Sequence, residues 1–209
     1  MAADGQPERA DVHDFPDKNV PKAIPYGVFD AEGNEGWMSV GDDHDTAAFA
    51  VNAIRRWWQT MDAARYPEAT RLMVTADAGG SNGYRNRLWK VELSKLAAET
   101  GLEITVCHYP PGTSKWNKIE HQMFSFITGN WRGRPLTSYQ VIVELVAATT
   151  ATTGLRILAE WDQGYYPIGT EITDAELNAL PLAGHEWHPD WNYDLKPPKQ
   201  EATKRTSHK

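Results

Sequence analysis

Cysteine is nearly absent from this chain: Cys107 is the only one in 209 residues. A single thiol cannot close an internal disulfide, which excludes the disulfide-framed secreted folds and fits a cytoplasmic location. Long apolar runs are missing as well. No stretch approaches the roughly 20 residues that a bilayer span needs, so no membrane partner is expected. The opening MAADGQPERADVHDFPD has neither the basic start nor the apolar centre of a signal peptide. Net positive charge is the third absence. Lys and Arg total 21 against 28 Asp and Glu, a formal net charge of −7, with an isoelectric point near 5.5. That disfavours a protein whose main task is to coat nucleic acid, because phosphate binding draws on clustered cations. It leaves room for metal-dependent phosphodiester chemistry, whose site must itself be acidic.

What is present suits a single globular domain. The chain is 41% hydrophobic and 23% charged, ordinary for a soluble fold with a core of useful size. Residues 1–22 are polar and proline-punctuated and are expected to be a poorly ordered lead-in. The domain proper is expected over 23–195, followed by a disordered tail, KPPKQEATKRTSHK, over 196–209. Local basic pairs such as Arg55-Arg56 and Arg132 with Arg134 are read as solvated surface charge.

Two short strand-like runs, IPYGVFD (24–30) and GWMSVGD (36–42), flank AEGNE, which has hairpin-turn chemistry. Thr46 then serves as the N-cap of a helix reaching about Met61. RLMVTAD (71–77) is a continuous apolar run ending in an aspartate before GGSNG, and predicts a buried strand. An amphipathic helix is predicted over 86–100, closed by Gly101. EITVCHY (103–109) predicts another strand, cut off by Pro110-Pro111. Helices are predicted over 115–130 and 138–150, and residues 154–195 are mixed and aromatic-rich. The order β-β-α-β-α-β-α-α implies an α/β fold, a mixed sheet flanked by helices.

Such sheets place their chemistry at the carboxyl ends of strands. Asp77 ends a strand, and Glu120 lies near the start of the helix that follows the next strand. Two carboxylates delivered this way could share Mg²⁺, which needs only one or two protein carboxylates beside substrate phosphate. A pair of such ions about 3.5–4 Å apart can activate an attacking oxygen and stabilise a leaving one. Taken singly, each acid is as readily a surface group or a helix-start carboxylate.

TADAGGSNG and PPGTSKWNKIEH resemble the second and third acidic motifs of DDE transposases. More closely, VGDDHDTAAFAVNAIRRWW, LMVTADAGGSN, LWKVELSKLAAETGLEITVCHYPPGTSKWNKIEHQMFSFI and WRGRPLTSYQVIV are similar to Rhodopirellula-type transposases of the ISAzo insertion-sequence group. The resemblance runs over roughly residues 11–195. It implies a ribonuclease-H-like fold, DNA as partner and Mg²⁺ or Mn²⁺ as cofactor, two ions in the intact family. It also implies an oligomer or a full-length transposase as a further partner. Asp77 matches the second catalytic aspartate and Glu120 the catalytic glutamate. In that family water attacks a phosphodiester at the element end, and the freed 3′-hydroxyl then attacks target DNA. Asn82, Lys115, Asn117 and His121 fall inside the matching motifs, as candidate contacts to phosphate or to the carboxylates.

The family's first aspartate belongs on a first strand for which this sequence shows no candidate. The expectation is therefore a catalytic domain lacking its first strand, truncated and inactive by itself. Asp42, Asp43 and Asp45 in GDDHD could substitute, but read more simply as a turn before a helix. The main alternative function is a non-catalytic remnant that pairs with DNA or a full-length transposase. Nucleotide binding by the glycine-rich VTADAGGSNG loop is a weaker rival, since its spacing fits neither common phosphate-binding pattern. His185 and His188 supply too few ligands for zinc, and Cys107 reads as a buried small hydrophobe. The C-terminal tryptophans Trp161, Trp187 and Trp191 are expected to serve the core.

Overall fold

The computed structural model describes residues 22–152 and 154–198. The expected lead-in and most of the tail lie outside these residues. The N-terminal hairpin forms as expected. Strand β1 (Ile24–Asp30) pairs antiparallel with β2 (Glu35–Gly41) around a four-residue turn. Asp30 fixes that turn by accepting the backbone N–H groups of Glu32 and Gly33. Helix α1 (Ala47–Trp57) starts where Thr46 Oγ1 accepts the Phe49 N–H. It continues through a π-helical turn (Trp58–Asp62) into the short α2 (Ala63–Arg65).

Strand β3 (Arg71–Ala76) follows, then a 3₁₀ turn (Gly80–Asn82) and helix α3 (Arg87–Thr100). Asn86 caps α3 by accepting from Leu88 and Trp89, and Gly101 closes it in the left-handed region at φ 75°. β4 (Glu103–His108) leads through a second 3₁₀ turn (Ser114–Trp116) to a π-helical turn (Glu120–Phe124) and α4 (Ser125–Trp131). α5 (Tyr139–Ala147) is capped by Ser138. The C-terminal part, which the sequence left unassigned, adds β5 (Arg156–Asp162), α6 (Asp174–Asn178), β6 (Leu182–Gly184) and β7 (Asn192–Leu195).

The strands form two sheets where one was expected. The first has the order β1-β2-β5, with β5 parallel to β2. The second has the order β3-β4-β7-β6, with β3 parallel to β4 and the β7 pairings antiparallel. β1 and β3 are thus both edge strands, and β1 tolerates Pro25 for that reason. The buried strand expected at 71–77 is corrected accordingly. Leu72 and Val74 point to the core, while Arg71, Met73 and Thr75 are exposed and Met73 keeps 68% of its surface in solvent.

Both sheets nevertheless share one core. A cluster on one face joins Trp37 and Ile54 to Trp89, Leu93, Ile104, Val106, Tyr193 and Leu195, with Val28 of β1 and Val74 of β3 packed against it. A second cluster lies on the opposite face of the first sheet only, where Met38 and Val40 meet Met123, Ile127, Ile142 and Val146. The fold is an α/β arrangement of mixed sheets flanked by helices. No helix among the described residues is long and apolar enough to cross a membrane.

Candidate active site

β3 ends at Ala76, so Asp77 stands just past its carboxyl end, on the loop that turns into the Gly80–Asn82 segment. Two side chains hold that loop. Asn86 Nδ2 donates to the Ser81 carbonyl at 2.9 Å, and His108, buried at the end of β4, places Nε2 2.8 Å from the Asn82 carbonyl. The other ring nitrogen of His108 lies 3.0 Å from the Trp191 carbonyl, tying the loop to the start of β7.

Glu120 arrives from the other direction. After β4 the Pro110-Pro111 pair stops the strand, and Gly112 takes φ 78°, a conformation that suits glycine. Thr113 closes the turn with its hydroxyl on the Pro110 carbonyl at 2.6 Å. The chain re-enters helical structure at Lys118, and Glu120 opens the π-helical turn. Asn117 joins the two halves of the site. It is 8% exposed and donates from Nδ2 to Asp77 Oδ1 at 3.2 Å.

Asp77, Asn82, Asn117 and Glu120 line one cavity of about 360 Å³, between the free edges of β1 and β3. The structure therefore gathers four of the six expected site residues. Lys115 and His121 line no part of the cavity. Lys115 Nζ sits over the Trp116 ring at 5.7 Å, and His121 Nε2 lies 2.9 Å from the Lys115 carbonyl. Lys118 and Tyr109 line the cavity although neither was a sequence candidate.

Asp45 also lines the cavity, whereas its neighbours are used elsewhere. Asp42 accepts the indole N–H of Trp161, and Asp43 accepts the Tyr166 N–H and pairs with His44. The sequence reading treated all three as a turn before a helix. The residue that could have separated Asp45 from the others is the Thr46 cap, which fixes where the preceding residue leaves the helix. Tyr26 faces the same acidic end. Burial pushes its phenol far above the usual tyrosine range, and the charges of Asp45 and Asp77 push it further.

Among the described residues no group of three or more His, Cys, Asp or Glu side chains is placed to hold a metal ion. His185 pairs with Asp194 at 3.2 Å, while His188 stacks on Trp191, so the two do not form a zinc pair. The VTADAGGSNG loop enters a 3₁₀ turn, and α3 starts only at Arg87, so its glycines do not open a helix. Cys107 is half-buried rather than buried, with its thiol pushed up by burial and then by Asp194. Trp187 is 67% exposed, which removes it from the core role expected of it.

An α/β domain with carboxylates gathered at the end of a strand belongs to the large class of folds that keep their chemistry at strand ends. More narrowly, the model of the Rhodopirellula transposase DDE domain family matches residues 1–197. The chain belongs to that family. No curated protein and no solved structure matches it.

Proposed function

We propose that this chain carries two of the three carboxylates of a DDE transposase site, with Asp77 in the second position and Glu120 in the third. The observation that supports this most directly is the convergence of both acids on one cavity, with Asn117 holding Asp77 in place. The substrate is DNA and the reaction phosphodiester cleavage followed by strand transfer. The fold is ribonuclease-H-like, with the family's first strand unfilled among the described residues.

The donor set fits a hard divalent cation. The polar part of the cavity lining includes the carboxylates of Asp45, Asp77 and Glu120 and the amides of Asn82 and Asn117, beside apolar residues of β1, β3 and α1 and with no His or Cys, which favours Mg²⁺ or Mn²⁺ over zinc. Asp77 and Glu120 would hold the ion. When bound, it polarises a phosphodiester and makes an attacking oxygen more acidic. The protein's own part is placement. Asn117 orients the Asp77 carboxylate, Asn86 and His108 keep its loop in position, and Lys118 offers a cation to substrate phosphate.

Inactivity of the chain alone is part of this proposal, since Asp45, the further acid lining the cavity, stands in the turn before α1 and not on a strand between β1 and β3. Mn²⁺ titration followed by electron paramagnetic resonance tests the reading. The wild-type chain should bind Mn²⁺, Asp77→Asn and Glu120→Gln should each abolish binding, and Asn117→Ala should weaken it about tenfold. Supercoiled plasmid should stay uncut with either ion. Binding that survives loss of both carboxylates would refute the assignment, and efficient cutting by the chain alone would refute its inactivity.

A further inference from the structure

Beside the candidate active site one large aromatic ring faces solvent. Trp116 is 61% exposed, although its backbone is firmly placed. The Thr113 hydroxyl closes the preceding turn on the Pro110 carbonyl, and the Trp116 N–H donates to the Thr113 carbonyl at 2.9 Å. The next residue, Asn117, is buried and donates to Asp77, and Lys118 beyond it lines the cavity. Consecutive Cα atoms are about 3.8 Å apart, so the Trp116 backbone stands at the rim of the cavity that holds both acids.

A lone exposed aromatic is ordinary on a protein surface. The charge around this one is not. The chain carries a net −7, yet residues 113–121 hold two exposed lysines, Lys115 and Lys118, against one acid, Glu120, which lines the cavity. Lys115 Nζ lies 5.7 Å from the centre of the Trp116 ring. Trp187, at 67% exposure, has the opposite setting: it follows Glu186 directly and precedes Asp190 by three residues.

An exposed indole with cations beside it suits a ligand that is planar and anionic at once, as a nucleotide is. A base inside a duplex gives both faces to its neighbours in the stack. Only an unpaired or terminal base is free to stack on a side chain. We infer that Trp116 is a stacking platform for such a DNA base, next to the phosphodiester held in the cavity, with Lys115 and Lys118 on the adjoining phosphates. The tip of the turn thereby fixes which phosphodiester reaches Asp77 and Glu120. The inference rests on the DNA reading above and adds to it a contact made without metal.

Fluorescence anisotropy on the full chain at low salt tests it. The probe is a labelled DNA duplex with a short single-stranded extension. A second set of probes places one abasic site at each position of the extension in turn. Trp116→Ala should weaken binding of the intact probe about tenfold, and Trp116→Tyr should keep most of it. One of the abasic sites should weaken wild-type binding by the same factor and leave binding by Trp116→Ala unchanged. Intact-probe affinity retained in Trp116→Ala would overturn the inference. So would a weakened Trp116→Ala that still loses affinity at the same abasic site, since the ring would then act only through the structure of the turn. DNA binding by the wild type that is blind to every abasic site would remove the platform and leave the DNA reading standing. A wild-type chain that binds no DNA would remove both.

Discussion

Asp62 is the most unfavourably placed acid among the described residues. It is 1% exposed, and its Oδ1 has no partner among them. Burial raises its pKa from 3.8 to about 6, the charge of Asp30 adds to this, and Arg65 opposes it. The folded value lies above the unfolded one, so the fold favours the protonated acid. Its stabilisation is complete below about pH 4 and is lost as pH rises through about 6. Asp62→Asn should flatten that part of the profile and raise stability at pH 7 by roughly 2 kcal/mol. Urea denaturation of both proteins between pH 4 and 8 would read the difference, and parallel profiles would show that Asp62 is not the group responsible. Nothing in the sequence singles this residue out. WQTMDAAR reads as an ordinary helix end, and only its burial and the tertiary neighbours Asp30 and Glu35 make its position costly.

Among the elements, the segment carrying Glu120 depends on a glycine in another strand. A Cβ added at Gly27 would lie 2.5 Å from Met123 Cε and 2.6 Å from Phe124 Cε1, and Met123 also presses on Gly36. The π-helical turn thus sits directly on the backbone of β1 and β2. Gly27→Ala should push it outward, destabilising the fold by about 1–3 kcal/mol and weakening Mn²⁺ binding in the same variant. Thermal melts and the Mn²⁺ titration together check this. Unchanged Mn²⁺ affinity in a destabilised variant would show that the contact supports packing alone. Local signals read well at this scale: the Thr46 cap and Gly101 stand where the sequence put them, and the helices expected from 86 and 138 begin one residue later, behind the caps Asn86 and Ser138. β5 and β7 escaped because RILAEWD is broken by charge and NYDL is only four residues long. The edge position of β3 escaped because strand pairing is not a local property. That Asp77 and Glu120 line one cavity accords with their expected places at a strand end and a helix start. Asn117 was expected as a contact to phosphate or to the carboxylates, and it donates to Asp77. The absence of Lys115 and His121 from the cavity was not legible, because the 3₁₀ and π turns that carry them change which side chains share a face.

Across the whole molecule, the two hydrophobic clusters divide the labour unequally. The cluster around Ile54 and Leu93 underlies both sheets, whereas the one around Met123 and Ile142 covers the first sheet alone. With the sheets unbonded to each other among the described residues, the shared cluster is what makes them one cooperative body. Ile54→Ala and Met123→Ala remove side chains that are 3% and 0% exposed, so each should cost about 2–5 kcal/mol. The location of the loss should differ. Ile54→Ala should speed amide exchange in β2 and β4 alike. Met123→Ala should speed it in β1, β2 and α4 while leaving β4 and β7 protected relative to global unfolding. Equal loss in both sheets for Met123→Ala would mean that the sheets are coupled by more than the shared cluster.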